Sequence, residues 1–81
     1  MKLLCVKDVI TTDSKTNKQR ECFTRDKFYK SRFFRTGMEL YAINNFEEMH
    51  MVAHGNSKNE TLDDWWFHNH FKIIDENNND W

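Results

Sequence analysis

The chain of 81 residues contains no proline and only two glycines. Tight turns must therefore come from asparagine and aspartate, which tolerate a left-handed backbone better than most residues with a side chain. Cysteine is also scarce, with only Cys5 and Cys22. Small secreted domains usually hold several cysteine pairs, so we expect two reduced thiols and no disulfide scaffold.

Long hydrophobic runs are missing as well. No stretch approaches the roughly 20 apolar residues that cross a bilayer. Residues 1–8 turn to charge after an apolar run that is too short for a signal-peptide core. We therefore expect a cytoplasmic protein with no membrane partner.

The charge is present in both signs but is divided unequally along the chain. Residues 1–35 hold ten Lys and Arg against four acids, and residues 36–81 hold two Lys against nine acids. The first part therefore carries +6 and the second −7, within a net charge of −1. Patches of one sign steer encounters with charged surfaces, so this division predicts a charged partner.

Alternating apolar and polar residues predict short strands and one helical segment. The strands are expected at residues 2–9, 27–35, 38–43, 47–53 and 71–74. Residues 10–21 offer nothing to fill a core, so we expect a polar loop or a hairpin tip there. Thr61, with Asp64 three residues later, predicts the N-terminus of one or two helical turns within residues 62–70.

Several short strands with a helical turn before the last one are typical of a small, bent antiparallel sheet. We predict an all-β fold, or a β-rich α+β fold, built as a five-stranded antiparallel barrel with one short helix or 3-10 turn before the last strand. Residues 1–75 would form a single domain with the polar loop at 10–21. Residues 76–81 are predicted to be a flexible acidic, asparagine-rich tail.

Three motifs in order give the chain a likeness to known proteins. They are KLLCVKD at 2–8, FTRDKFYK at 23–30 and WFHNHFK at 66–72, with an Asn-Asn hairpin turn before the last. The series resembles small bacteriophage-type proteins with an SH3-like barrel, whose pattern is FTxxKxYK … WFxxxFK. Asp26 stands where that pattern usually has Gly, which requires a positive φ. The resemblance implies an SH3-like barrel and a phage accessory protein in the host cytoplasm, and it supplies no catalytic residue.

An acidic and aromatic surface is the first candidate for binding. Acids can imitate phosphates on a basic groove, and Trp is a good anchor at protein interfaces. Trp65 and Trp66 point in different directions, so one of them should be partly exposed. The residues we assign to this partner-binding surface are Glu47, Glu48, Asp63, Asp64, Trp65 and Trp66. The function predicted from it is a non-enzymatic phage protein that binds a host protein, such as a nucleic-acid enzyme, and modulates or inhibits it in host takeover or counter-defence.

The alternative is a small barrel that binds single-stranded nucleic acid with cations and stacking rings. In the strand at 27–35, Phe28, Lys30, Arg32 and Phe34 share one face. The residues assigned to this alternative are Arg20, Arg25, Tyr29, Arg32, Phe33 and Arg35. The isoelectric point near 6.4 counts against it. A third interpretation is a structural protein that self-associates through its oppositely charged parts, for instance as a homodimer.

No motif indicates catalysis, a cofactor or a metal. The four histidines have none of the spacings typical of zinc sites. No nucleophile can be placed beside a base, and Asp63 and Asp64 suit the first turn of a helix better than an acid pair. We therefore predict no catalytic residues, no metal, no cofactor and no enzyme activity.

Overall fold

The computed structural model describes residues 1–76, and seven strands, two short helices and a 3-10 turn make up its regular structure. The strands are β1 (Lys2–Cys5), β2 (Val9–Thr12), β3 (Gln19–Phe23), β4 (Phe28–Phe34), β5 (Glu39–Ile43), β6 (Met49–His54) and β7 (Phe71–Asp75). The helices are α1 (Lys58–Leu62) and α2 (Trp65–His70), and the 3-10 turn is Arg35–Gly37. All strand pairs are antiparallel, which confirms the β-rich antiparallel class.

Five strands form one sheet in the order β6-β5-β4-β1-β7. The long strand β4 belongs to both halves of this sheet. Its first residues, 28–30, pair with β1, and its last residues, 31–34, pair with β5. The edge strands β6 and β7 are not paired with each other, so the sheet is open.

The segment predicted as a polar loop at 10–21 is mostly a hairpin of β2 and β3, with only its tip outside the strands. Its base is held because Val9, Cys22 and Phe23 are buried. The first predicted strand, 2–9, is correspondingly split, because residues 2–5 pair with β4 and β7 whereas Val9 already pairs with Phe23 of β3. The sequence prediction missed the two strands of this hairpin because most of its residues are polar, and its few buried apolar residues lie at the start of β2 and the end of β3.

Phe23, at the end of β3, lies at the centre of the core. Its ring is fully buried and contacts three rings edge to face: Tyr29 at 4.8 Å, Phe71 at 5.0 Å and His50 at 5.2 Å between centroids. Phe23 therefore packs the hairpin against the five-stranded sheet, together with Val9 and Cys22. The other buried apolar residues are Met1, Leu3, Cys5, Val9, Cys22, Tyr29, Leu40, Ala42, Val52, Ala53, Phe67 and Phe71.

The tight turns follow the expectation from composition only in part. Among residues 1–76, the left-handed residues with a side chain include Asn17 and Asp26, as predicted, but also Arg35, Thr36 and Glu47. Asp26 has a φ of 71°, which is the conformation that its position in the phage-type pattern requires. In the hairpin between β5 and β6, the side-chain oxygen of Asn44 accepts from the N–H groups of Phe46 and Glu48. The left-handed residue of that hairpin is Glu47, with a φ of 61°, rather than either asparagine.

The predicted helical segment before the last strand is present and is interrupted. Ser57, not Thr61, is the N-cap of α1, and its hydroxyl accepts from the N–H of Glu60. Thr61 lies inside α1, fully buried, and donates to the carbonyl of Ser57. A second helix then begins after Asp64. The predicted tail, 76–81, lies outside the described residues except for its first.

Candidate functional site

Asp64 positions the first candidate site. Its carboxylate caps α2 by accepting from the N–H of Phe67 at 3.0 Å. The same carboxylate accepts from the backbone N–H of His54 at 3.2 Å, at the end of β6. One side chain therefore begins the helix and joins it to the edge of the sheet. Trp65 follows immediately and projects into solvent with 78% of its surface exposed, whereas Phe67 is 1% exposed.

Trp66 takes the other direction and is half-buried. Its ring stacks on that of His70 at 4.2 Å and tilts against Phe71 at 6.2 Å. With Met51 and His54 it lines a shallow depression of about 180 Å³ beside β6. The expectation that one of the two adjacent tryptophans would be exposed is confirmed, and it is Trp65.

The surroundings of Trp65 are acidic. Asp63 and Glu60 are exposed, and Asp64 is half-buried. The nearest lysines along the chain are Lys58 and Lys72, each seven residues from Trp65. The ammonium of Lys58 lies 5.2 Å from the centre of the Phe33 ring. We call the group Glu60, Asp63, Asp64, Trp65 and Trp66 the Trp65 corner.

Glu47 and Glu48, which were assigned to the same surface from the sequence, lie at the opposite end of β6. Glu48 and His54 are six residue steps apart along the extended strand, or about 20 Å. Glu48 also forms an ion pair with Arg20 at 3.0 Å. The structure therefore brings together four of the six assigned residues and places the two glutamates elsewhere.

The alternative set of cations and rings is more dispersed. Tyr29 is only 8% exposed, and its hydroxyl donates to the side chain of Asn45 while accepting from the N–H of Thr24. Its ring is therefore part of the core rather than a stacking surface. Phe33 is half-buried beneath Lys58.

The four arginines of that set also differ in their surroundings. Arg20 lies over the ring of Phe46 at 4.0 Å and pairs with a glutamate, and Arg35 pairs with Glu39 at 3.3 Å. Arg25 and Arg32 are exposed. The rings on the same face of β4 as its cations are Phe28, which is exposed, and Phe34, which is half-buried. The alternation of the strand indicated them, but the assigned set named the rings of the inner face instead.

Titratable groups in the core show the effects of burial. Burial raises the pKa of the Cys5 thiol above its ordinary value, and burial lowers the pKa of His50, against the opposing charge of Glu48. Within residues 1–76, no three His, Cys, Asp or Glu side chains gather into a site that could hold a metal ion. No helix of the described residues is long and apolar enough to cross a membrane.

Comparison with known proteins adds no family. The chain matches no family model, no curated protein and no solved structure. Any function must therefore be argued from its residues and their geometry.

Proposed function

We propose that this chain is a non-enzymatic phage accessory protein that binds a host protein through the Trp65 corner and modulates or inhibits it. The observation that carries the proposal is the exposure of Trp65, 78%, at the first position of a capped helix. Tryptophan is enriched among the residues that dominate binding energy at protein interfaces. Left in water, its large ring gives up the hydrophobic stabilisation that a partner would restore.

The corner also has the rigidity that a binding anchor needs. Asp64 fixes the start of α2 against β6, and the stack of Trp66 on His70 covers the next turn. A side chain presented on a rigid element loses less conformational entropy on binding than one on a loose loop. Trp65 therefore needs little rearrangement to enter a pocket on a partner.

The acids of the corner indicate the charge of that partner. Asp63 and Glu60 precede Trp65 by two and five residues, are exposed, and form no ion pair with a lysine or arginine in the described part of the chain. Complementary charge raises the rate of encounter and suppresses wrong partners. A basic groove of a nucleic-acid enzyme fits this chemistry, because the acids would occupy places made for phosphates.

The proposal includes the SH3-like barrel and the phage origin that the resemblance implies. Two observations support the barrel. The sharing of β4 between β1 and β5 lets a small sheet bend around one core, and Asp26 adopts the left-handed conformation that the phage-type pattern requires. The phage origin rests on the motifs alone.

The test begins with capture of partners from a bacterial lysate on the tagged full chain, followed by direct titration of each purified partner. Trp65→Ala is expected to weaken binding by about 30-fold, the effect of losing an interface hot spot. Phe46→Ala is the matched control, because Phe46 is also an exposed aromatic residue but lies in the hairpin between β5 and β6.

Asp63→Lys tests the charge of the partner without touching the helix cap, since Asp64 holds that cap. We expect slower association and a weaker dependence on salt. A partner whose affinity is unchanged by both Trp65→Ala and Asp63→Lys does not bind at the corner, and the proposal would then be wrong.

A further inference from the structure

The outer face of β4 carries aromatic and cationic side chains in alternation. Phe28, Lys30, Arg32 and Phe34 point outward, while the residues between them point to the core or towards α1. Phe28 is 54% exposed, Lys30 and Arg32 are exposed, and Phe34 is half-buried. Over six residue steps the four side chains extend for about 20 Å. The result is a line with one ring at each end and two cations between them.

A third cation joins this line from β1. Lys2 is directly opposite Lys30 in the pairing of β1 with β4, and its ammonium lies 4.5 Å from the centre of the Phe28 ring. Like charges opposite each other in a sheet destabilise it, so the fold maintains this arrangement at some cost. We call Lys2, Phe28, Lys30, Arg32 and Phe34 the β4 outer row.

Two acids lie opposite members of the row. Asp75 is opposite Lys2 on β7, and Glu39 is opposite Phe34 but pairs with Arg35. Among residues 1–76, no carboxylate forms an ion pair with Lys30 or Arg32. The row therefore keeps a positive charge on a protein whose net charge is −1.

We propose that the β4 outer row binds single-stranded nucleic acid, with the strand lying along β4. A ligand that fits must present anions and flat apolar surfaces in alternation. Single strands do so, because their phosphates can meet the cations while unpaired bases stack on the rings. A duplex keeps its bases stacked inside, and an acidic peptide without aromatic residues offers charge without flat apolar groups. The proposal is independent of the Trp65 corner, which shares none of its residues.

The second ring of the row has a neighbour that enlarges the stacking surface. Phe34 meets Tyr41 of β5 edge to face, with centroids 5.3 Å apart, and Tyr41 is directly opposite Arg32. Arg32 is thus flanked by a ring on its own strand and a ring on the next. A base that stacks at this end would lie beside the cation that holds its phosphate.

The experiment is fluorescence anisotropy of a labelled oligo(dT) single strand titrated with the full chain from low to moderate salt. The three cations predict a slope of log affinity against log salt of about −2, since each phosphate contact on a single strand contributes about −0.7. Lys30→Glu should weaken binding several-fold and reduce the slope by about 0.7. Phe28→Ala should weaken it about tenfold through lost stacking.

Matched controls separate the row from general charge and apolarity. Lys15→Glu makes the same charge change at the exposed tip of the β2–β3 hairpin, and Phe46→Ala removes an exposed ring elsewhere. Both should bind as the unchanged protein does. Thermal melts accompany every variant, and Lys30→Gln replaces Lys30→Glu if the latter melts early.

Three outcomes would overturn the proposal. The first is no binding at low salt with protein in large excess over the oligonucleotide. The second is an equal loss of affinity for a row variant and its matched control. The third is displacement of the strand by poly-glutamate or by duplex DNA at equal charge, which would make the row a general anion surface. None of these outcomes depends on whether a host protein binds at Trp65.

Discussion

The Trp65 corner and the β4 outer row both expose aromatic rings, but they do so in opposite electrostatic settings. The corner presents one rigid tryptophan among acids at the start of a helix. The row presents smaller rings in a repeat with cations along a strand. A single anchor in an acidic setting suits one pocket on a basic protein, whereas a repeat suits a polymer whose units repeat too.

The charge division along the chain is only partly retained in the fold. Two of the basic residues, Arg20 and Arg35, are paired with Glu48 and Glu39 of the acidic part. The fold therefore places basic side chains of the first part of the chain in contact with acidic side chains of the second part. Charge of one sign is present at the corner and on the row, and these are the places where we propose that partners bind.

The largest expected effect separates the inward and outward aromatic residues of α2. Phe67→Ala should lower the free energy of unfolding by about 3–5 kcal/mol, because a fully buried ring leaves a cavity. Trp65→Ala should change it by less than about 0.5 kcal/mol, as is usual for exposed positions. Urea denaturation of both variants measures the difference. A large loss of stability in Trp65→Ala would mean that its ring belongs to the core and is not an anchor.

The next effect is a double dissociation between the two surfaces. Trp65→Ala should weaken binding to the host protein by about 30-fold and leave binding to oligo(dT) unchanged. Phe28→Ala should weaken binding to oligo(dT) by about tenfold and leave binding to the host protein unchanged. Anisotropy with the two labelled ligands, on the same four protein samples including the double variant, tests this. If each variant loses affinity for both ligands, the two surfaces form one site and are not independent.

Much of this architecture follows from local patterns, and the exceptions have physical causes. The alternation of β4 and the turn at Asn44 could be predicted because both depend on residues that are adjacent in the sequence. The β2–β3 hairpin was underestimated because its polar tip outweighs the few apolar residues at its base. Tyr29 resembled a stacking ring, yet its hydroxyl bonds Asn45 of a distant hairpin as well as the nearby Thr24, so a tertiary contact decides its role.

The same limit applies to the candidate surface. Nothing in the sequence around 60–66 separates the role of Asp63 from that of Asp64, although only Asp64 caps α2 and contacts β6. Glu47 and Glu48 share a charge with the corner but lie at the other end of β6. Residues that are adjacent in the sequence were correctly placed on one surface, whereas Glu47 and Glu48 were grouped with them by charge alone and lie elsewhere.

A smaller effect distinguishes these two aspartates. Asp64→Ala removes the cap of α2 and should cost about 1–2 kcal/mol of stability. Asp63→Ala should cost less than about 0.5 kcal/mol, because its side chain is exposed. Thermal melts monitored by circular dichroism give both values. Equal costs would show that the cap does not hold α2 in place, and the rigidity argued for Trp65 would lose its basis.

The smallest effect concerns the boundary of the acidic surface. Glu48 pairs with Arg20 while both side chains are substantially exposed, at 54% and 39%. A double-mutant cycle with Glu48→Gln and Arg20→Met should therefore give a coupling free energy of less than about 1 kcal/mol. Because Arg20 already neutralises the carboxylate, Glu48→Gln should also leave the affinity for the host protein unchanged, whereas Asp63→Asn should lower it. Equal losses for both amides would extend the acidic surface along the whole of β6, and the partner would then bind across the sheet edge rather than at a corner.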